Sequence, residues 1–305
     1  MRLERILVFE NACFLRIDTS RLMIDKQGEA TKTVALIDIA AIIIESPQVV
    51  ITAAALQGLA NADIAVLIAD AKHQPASMLF PVGEHVATVA RQREQALMPQ
   101  PLADALWQQL VSSKIANQRA LLEFAQKPKI LARLQRLSET VAPGDPQNCE
   151  AQAAQLYWSE LFDDDFRREK QGAQDHVNKC LNYGYTIVRS LIARYVALSG
   201  LSGIYGIGHS NQTNSLALVD DLIEPFRASV DALIWTELQD IEWGSDAKRA
   251  ILKILQVPVR LDGKEYRLWA AAAECVNSYV RCVSARSEKF LLTPQWMNPH
   301  TPSDF

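Results

Sequence analysis

The residues best able to do chemistry in this sequence fall in three places. Asp221 and Glu224 are three apart, so one helix face would present both carboxylates, and His209 precedes them in the small-residue loop Gly206-Ile207-Gly208-His209-Ser210-Asn211. One imidazole and two carboxylates suit a hard or borderline divalent ion, with positions left open for substrate oxygens. Acids at that spacing are common and many loop histidines are plain surface residues, so spacing alone does not establish a metal site. Glu150 marks the second place: in a helix from about Asn148 to Phe162 it would share a stripe with Ala154, Tyr157 and Leu161. A carboxylate on an apolar face is paired, protonated or metal-bound; in a first turn it merely complements the helix dipole. Both readings stay open. The third place is a helix from about Asp175 to Leu198, where Asn178, Asn182, Tyr185 and Arg189 line one stripe beside an apolar one. Two amides, a phenol and a guanidinium in line could support metal ligands from behind or hold a phosphate; ordinary interhelical hydrogen bonding fits them equally well.

The elements that must position these groups divide in two. Up to about Val82 the chain reads as short strands, Ile6–Phe9, Phe14–Ile17, Leu22–Ile24, Ala41–Ile44 and Ala65–Ile68, with one helix over Thr52–Ala60 capped by Thr52. Phe80-Pro81-Val82-Gly83 reads as the hinge out of this region. Beyond it the apolar period changes from two to about 3.6 and stays helical to about Ser284. The expected fold class is α+β: a small N-terminal β-rich domain over 1–82, a larger all-α domain over 86–290, and a mostly unstructured tail over 291–305. No internal repeat is visible.

Composition narrows the class. A chain of 305 residues with 49% hydrophobic and 22% charged residues has the make-up of an ordinary soluble globular protein and the length for two domains. The first twenty residues carry six charges and leave no apolar core for a signal peptide, and the apolar run Val34–Ile44 is too short to span a bilayer; a cytoplasmic protein with no membrane contact is expected. Five cysteines without close pairing exclude a zinc ribbon or disulfide framework. The net charge is −4, yet Val86–Thr140 holds eight Lys or Arg against four acids. Lys114, Arg119, Lys129 and Arg133 are therefore candidates for a backbone-reading DNA track, with ordinary surface charge as the competing account. A P-loop is absent, so a nucleotide-driven reaction has no support.

Taken together, Glu150 through Trp158, Leu181-Asn182-Tyr183-Gly184-Tyr185, Gly208-His209 through Asn214, and Asp221-Leu222-Ile223-Glu224-Pro225-Phe226-Arg227 resemble, in order and spacing, the motifs of the CRISPR spacer-acquisition integrase family. Ile42-Ile43-Ile44-Glu45, Thr52 and His73-Gln74-Pro75 look like its type II branch. The resemblance extends to about residue 290. It implies a β domain that mediates homodimerisation and a helical domain in which Glu150, His209 and Glu224 bind one Mg2+ or Mn2+. Asp221 matches a further acidic position and is expected to contact the metal through water or support its ligands. Arg189 and Arg227 are expected to grip a phosphate.

The implied activity is metal-dependent DNA endonuclease and integrase chemistry: the 3′-hydroxyl of an incoming double-stranded fragment is joined to a CRISPR repeat by transesterification. Implied partners are a small ferredoxin-like adaptation protein, completing a heterohexamer, and the type II effector nuclease with accessory proteins. A stand-alone nuclease for branched DNA and a non-catalytic DNA scaffold are the alternatives. The chain departs from the family twice. Gly208-His209 stands where many relatives have His-His, and Ala228 where they have a second Pro. The spacing to Glu224 makes the second histidine the ligand, and Pro225 still predicts a helix restart just after Glu224.

Overall fold

The computed structural model describes residues 5–69, 75–79, 87–162, 165–170, 172–208 and 213–298. His209, the hinge over Phe80–Gly83, His73, Gln74 and the tail beyond 298 lie outside the described residues. The chain divides into two compact units, Met1–His85 and Val86–Phe305.

The first unit contains β1 (Arg5–Phe9), β2 (Cys13–Asp18), β3 (Arg21–Asp25), β4 (Lys32–Ala35), β5 (Ile39–Ile44), β6 (Val49–Ile51), α1 (Ala53–Asn61), β7 (Ala65–Ala69) and β8 (Pro75–Leu79). They form two four-stranded sheets, ordered β1-β5-β7-β8 and β4-β3-β2-β6. In the first, β5 pairs in parallel with both neighbours. That explains its sequence: a central parallel strand is covered on both faces, so Ile39, Ala40, Ile42, Ile43 and Ile44 are all buried and no polar alternation survives. In the second, the pleat buries Cys13 and Leu15 of β2 with Leu22 and Ile24 of β3, while Phe14 faces outward. Thr52 caps α1 by accepting a hydrogen bond from the Ala55 amide at 3.1 Å. Of the strands missed by the sequence reading, β4 and β6 are only four and three residues long, and β8 opens on Pro75 and has no β-branched residue.

The second unit follows with α2 (Thr88–Ala96), α3 (Gln100–Phe124), α4 (Leu131–Thr140), α5 (Cys149–Leu161), α6 (His176–Leu198), α7 (Ala217–Leu222), α8 (Arg227–Glu237), α9 (Ser245–Ile251), β9 (Pro258–Leu261), β10 (Lys264–Arg267), α10 (Leu268–Ala285) and β11 (Gln295–Trp296). The long helix α3 packs against α4, α5 and α8, and α6 against α8, α9 and α10. Its inward stripe carries Leu102, Leu106, Leu110, Val111, Leu121 and Leu122, but also the polar Lys114, Asn117 and Gln118, all buried.

Two expectations need correction. The unit is mostly helical but not all-α: β9, β10 and β11 form an antiparallel three-stranded sheet, because Asp262-Gly263, both at positive φ, turn the chain back after β9. The segment expected as an unstructured tail supplies β11. Asn117 holds it down, donating to the Pro294 carbonyl at 2.8 Å and accepting from the Trp296 amide at 3.0 Å. Among the described residues all five cysteines are buried and unpaired, and no helix is long and apolar enough to cross a membrane.

Gly184 in α6 is where that helix meets α8. A Cβ there would lie 2.6 Å from Val230 Cγ1 and 3.4 Å from Ile251 Cγ2. For Gly184→Ala, overpacking costs about 1–3 kcal/mol, and better helix propensity returns only roughly 0.5–1 kcal/mol. The variant is expected to unfold at lower urea concentration than the parent; an unchanged or higher midpoint would show that the helices can part without cost.

Candidate active site

Three chain segments converge on one ammonium. Lys114 projects from the middle of α3 and is only 6% exposed. Its Nζ pairs with Glu150 Oε1 at the start of α5 and lies 2.5 Å from Glu224 Oε2 in the turn between α7 and α8. This is why the expectation of Lys114 on a DNA-facing surface fails: an ammonium buried between two carboxylates is not presented to a phosphate backbone.

Local sequence explains how each carboxylate gets there. Asp145, held in the Pro143–Pro146 loop, caps α5 with both carboxylate oxygens, accepting from the Cys149 amide at 2.8 Å and the Glu150 amide at 3.0 Å. The first turn of α5 is thus locked, and Glu150 extends from it with its side chain about a quarter exposed. Glu224 sits where Pro225 interrupts the helix: α7 ends at Leu222, a single 3-10 turn spans Glu224–Phe226, and α8 starts at Arg227. The Pro225 carbonyl accepts from Asn117 Nδ2 at 2.8 Å, so the residue that secures β11 also secures this turn.

Glu224 is almost fully buried. Arg227 donates to its Oε1 from Nε at 2.8 Å, with Nη2 also 2.8 Å away. Burial alone would raise the pKa of Glu224, but the Arg227 guanidinium and the Lys114 ammonium outweigh it and bring the pKa down to about 2. Its Oε2 makes no hydrogen bond among the described residues; Lys114 is close in charge but outside hydrogen-bond geometry. An ionised, buried oxygen beside a second carboxylate is a donor set that fits a divalent cation. With His209 outside the described residues, no group of three His, Cys, Asp or Glu is assembled among those described.

Two adjacent aspartates of α7 fix the chain on either side of residues 209–212. Asp221, fully buried, accepts with Oδ2 from the Ile207 amide and from the Gly208 amide at 3.1 Å. Asp220 accepts from Asn214 Nδ2 at 2.7 Å and from Arg189, Nε at 2.5 Å and Nη2 at 3.0 Å. Burial opposes ionisation of Asp220, but Arg189 and Asn214 hold its pKa below the usual carboxylate value. The oxygen that Asp221 directs at these amides makes it an anchor of the loop. Arg189, expected as a phosphate grip, is instead paired bidentately with Asp220. Trp107 of α3 lies beside the exposed Gly208, where a Cβ would come within 2.3 Å of the indole ring.

The amide stripe of α6 turns out to hold a guanidinium. Arg168 donates to Asn178 Oδ1 at 2.9 Å and Asn182 Oδ1 at 2.6 Å, and lies over the rings of Tyr185 and Trp158 at 5.3 and 5.8 Å. Arg227 covers Tyr185 as well, 4.8 Å from its centroid. Beneath, the Tyr185 hydroxyl donates to Asp231 Oδ1, and the Tyr157 hydroxyl to Asp231 Oδ2 at 2.8 Å. Burial raises Asp231 to a pKa of about 6 despite the two phenols and two nearby guanidiniums. The remaining candidates are peripheral: Arg119 pairs with Glu123 at 3.3 Å, Lys129 with Glu160 at 2.8 Å while staying largely exposed, and Arg133 is exposed on α4.

Sequence reasoning missed Lys114 as a site residue, and Arg168 and Asp231 altogether. Signals existed for two of them. Lys114 interrupts the Leu106, Leu110, Leu121 stripe, and Asp231 stands alone in the apolar run Val230–Ile234. Arg168 lies between helices, where no periodicity reports on it.

Comparison with known proteins places this geometry in context. The profile of the family described as "CRISPR associated protein Cas1" matches residues 6–250. The "CRISPR-associated endonuclease Cas1" of Neisseria meningitidis serogroup C (strain 8013) is 31% identical over 295 residues, covering 95% of this chain and 96% of the relative. Among solved structures, "Casposase bound to integration product" superposes with a TM-score of 0.81 at 20% identity, covering 98% of this chain and 96% of that one. "Cas6-RT-Cas1--Cas2 complex" does so with a TM-score of 0.76 at 20% identity, over 99% of this chain and 37% of that one.

The two displaced carboxylates act on stability with opposite sign. Asp231 is raised from 3.8 to about 6, so the folded state keeps a proton that the unfolded chain releases, and stability falls as pH rises from about 4 to 6. Glu224 is lowered from 4.5 to about 2, so its contribution is complete above about pH 4.5 and is lost as pH falls toward 2. Urea midpoints in EDTA from pH 3 to 7 are expected to show both slopes, and Asp231→Asn to remove only the decline between pH 4 and 6. A decline of the same size in the variant would mean another group carries that proton.

Proposed function

The chain belongs to the CRISPR-associated Cas1 family, and from that premise we propose that it is the DNA integrase and endonuclease of CRISPR adaptation. It joins the 3′-hydroxyl ends of short double-stranded fragments to a repeat array by phosphodiester transesterification. The observation that carries this reading is the convergence of Glu150 and Glu224 on one cation position in a chain that matches the family along most of its length. The endonuclease name of the Neisseria relative and the integration product held by the casposase support the reaction class. Similarity to the Neisseria relative across 95% of the chain is in keeping with the type II branch expected from the N-terminal half.

Glu150, His209 and Glu224 would hold one Mg2+ or Mn2+. When bound, that ion supplies Lewis-acid stabilisation of charge developing on phosphate oxygens. The chain's own residues do the rest. Asp145 fixes the turn from which Glu150 extends, and Asp221 with Trp107 fixes the backbone entering residue 209. Arg227, anchored on Glu224 through Nε and Nη2 and about a quarter exposed, keeps further N–H groups able to meet a phosphate oxygen. Breaking one phosphodiester while making another conserves bond energy, so no nucleotide is consumed. Partners on this reading are double-stranded DNA, a second copy of this chain through the β unit, and a small ferredoxin-like protein completing a heterohexamer. The Cas1–Cas2 assembly among the similar structures supports the last. The type II effector nuclease and accessory proteins would select the DNA, and the work would take place in the cytoplasm, where the array is.

The decisive assay mixes the protein and its small partner with 3′-hydroxyl duplexes and a supercoiled plasmid carrying a repeat. Joined, relaxed plasmid is expected with Mg2+ or Mn2+ and is expected to vanish with EDTA or His209→Ala. Cleavage without joining would replace the integrase by a nuclease of branched DNA; binding alone, indifferent to His209, would leave a scaffold.

Lys129 and Arg133 remain the surface candidates for the DNA track. Replacing both with Ala should flatten the dependence of log affinity on log salt concentration by about 2, each phosphate contact being worth about 0.9. An unchanged slope would remove both from the contact surface.

A further inference from the structure

Lys114 carries a charge onto the buried side of α3, where its ion-pair partners are Glu150 and Glu224. Its Nζ faces both carboxylates, and its stem lies on the buried stripe of α3. These two carboxylates arrive from positions 36 and 110 residues downstream and would repel each other unless a cation stood between them. With Arg227 on the other edge of Glu224, the cluster has two negative and two positive groups, so it is neutral with nothing bound.

We propose that Lys114 is a resident cation that occupies the carboxylate pair in the metal-free protein and competes with the divalent ion for it. The inference rests on the metal reading given above. Its physical content is an exchange. Both cations need the carboxylate oxygens that converge on the Lys114 position, and both cannot use them at once. The flexible four-carbon stem of lysine allows its ammonium to withdraw along α3 when the ion enters by the more exposed Glu150 side. The withdrawn ammonium stays near a dication in a poorly hydrated site, which opposes loading. Ion affinity is therefore reduced by the fraction of molecules in which the pair is vacated. An arginine would keep the competition, whereas a neutral residue of similar length would abolish it.

The test is calorimetric titration of Mn2+ into the full-length protein, without DNA, for wild type, Lys114→Met, Lys114→Gln, Lys114→Arg and Glu224→Gln. Loss of the competitor is expected to tighten Mn2+ binding by about tenfold or more in the Met and Gln variants, as follows if the ammonium holds the pair nine-tenths of the time. Lys114→Arg should stay near wild type. In EDTA the Met and Gln variants should melt lower than wild type, with Mn2+ raising their Tm further than it raises the wild-type value. Equal or weaker Mn2+ binding in both neutral variants overturns the proposal, since Lys114 would then assist the ion. If the Met variant does not fold, the Gln variant decides by the same criterion. No Mn2+ binding by wild type or by either neutral variant, with Glu224→Gln indistinguishable from them, would instead overturn the metal reading itself and this inference with it.

Discussion

Two ionised carboxylates held side by side need positive charge between them, and Glu150 and Glu224 meet that demand through Lys114. Removing a charge from water is costly, and an uncompensated one inside a protein costs several kcal/mol. Here Lys114 brings one positive charge from α3 and Arg227 another from α8, and between them they keep Glu224 ionised although it is only 3% exposed. The arrangement favours an ionised acid over a protonated one, which is the state a metal ligand requires.

Helix α3 is the common support. From one helix, Trp107 lies beside the backbone at Gly208, Gln108 donates to the Val141 carbonyl at 2.6 Å, Lys114 joins the two glutamates, and Asn117 ties the Pro225 turn to β11. Elements that are remote in sequence therefore share one straight reference. The aspartates of α7 extend this logic: Asp221 holds the backbone at Gly208 and Asp220 holds Asn214, the described residues on either side of 209–212. Tyr157, Tyr185 and Asp231 form a second buried polar set, with Arg168 and Arg227 stacked on Tyr185 above it.

Much of this was legible in the residues themselves. The order of short strands followed by long helices was readable because β5 is a continuous apolar run and the helices repeat at 3.6. Pro225 and Thr52 announced their turn and cap by local chemistry. Glu150 and Glu224 stood out because their motifs occur in a fixed order, and the fold brings both to one ammonium. What escaped is the pairing of charges, since sequence gives no distance between residues 114 and 224. Lys114 looked like one of several basic surface residues, and Arg189 like a free guanidinium, because a buried salt bridge and an exposed charge are written with the same letters. The tail escaped for a similar reason: Gln295-Trp296 is too short for a strand pattern and becomes one only because β9 offers an edge.

The contact between Trp107 and Gly208 limits what position 208 can hold. With indole atoms as near as 2.3 Å to where a Cβ would stand, a larger side chain at 208 requires Trp107 to turn aside. The two positions are therefore coupled, and the cost of a substitution at one depends on which residue stands at the other.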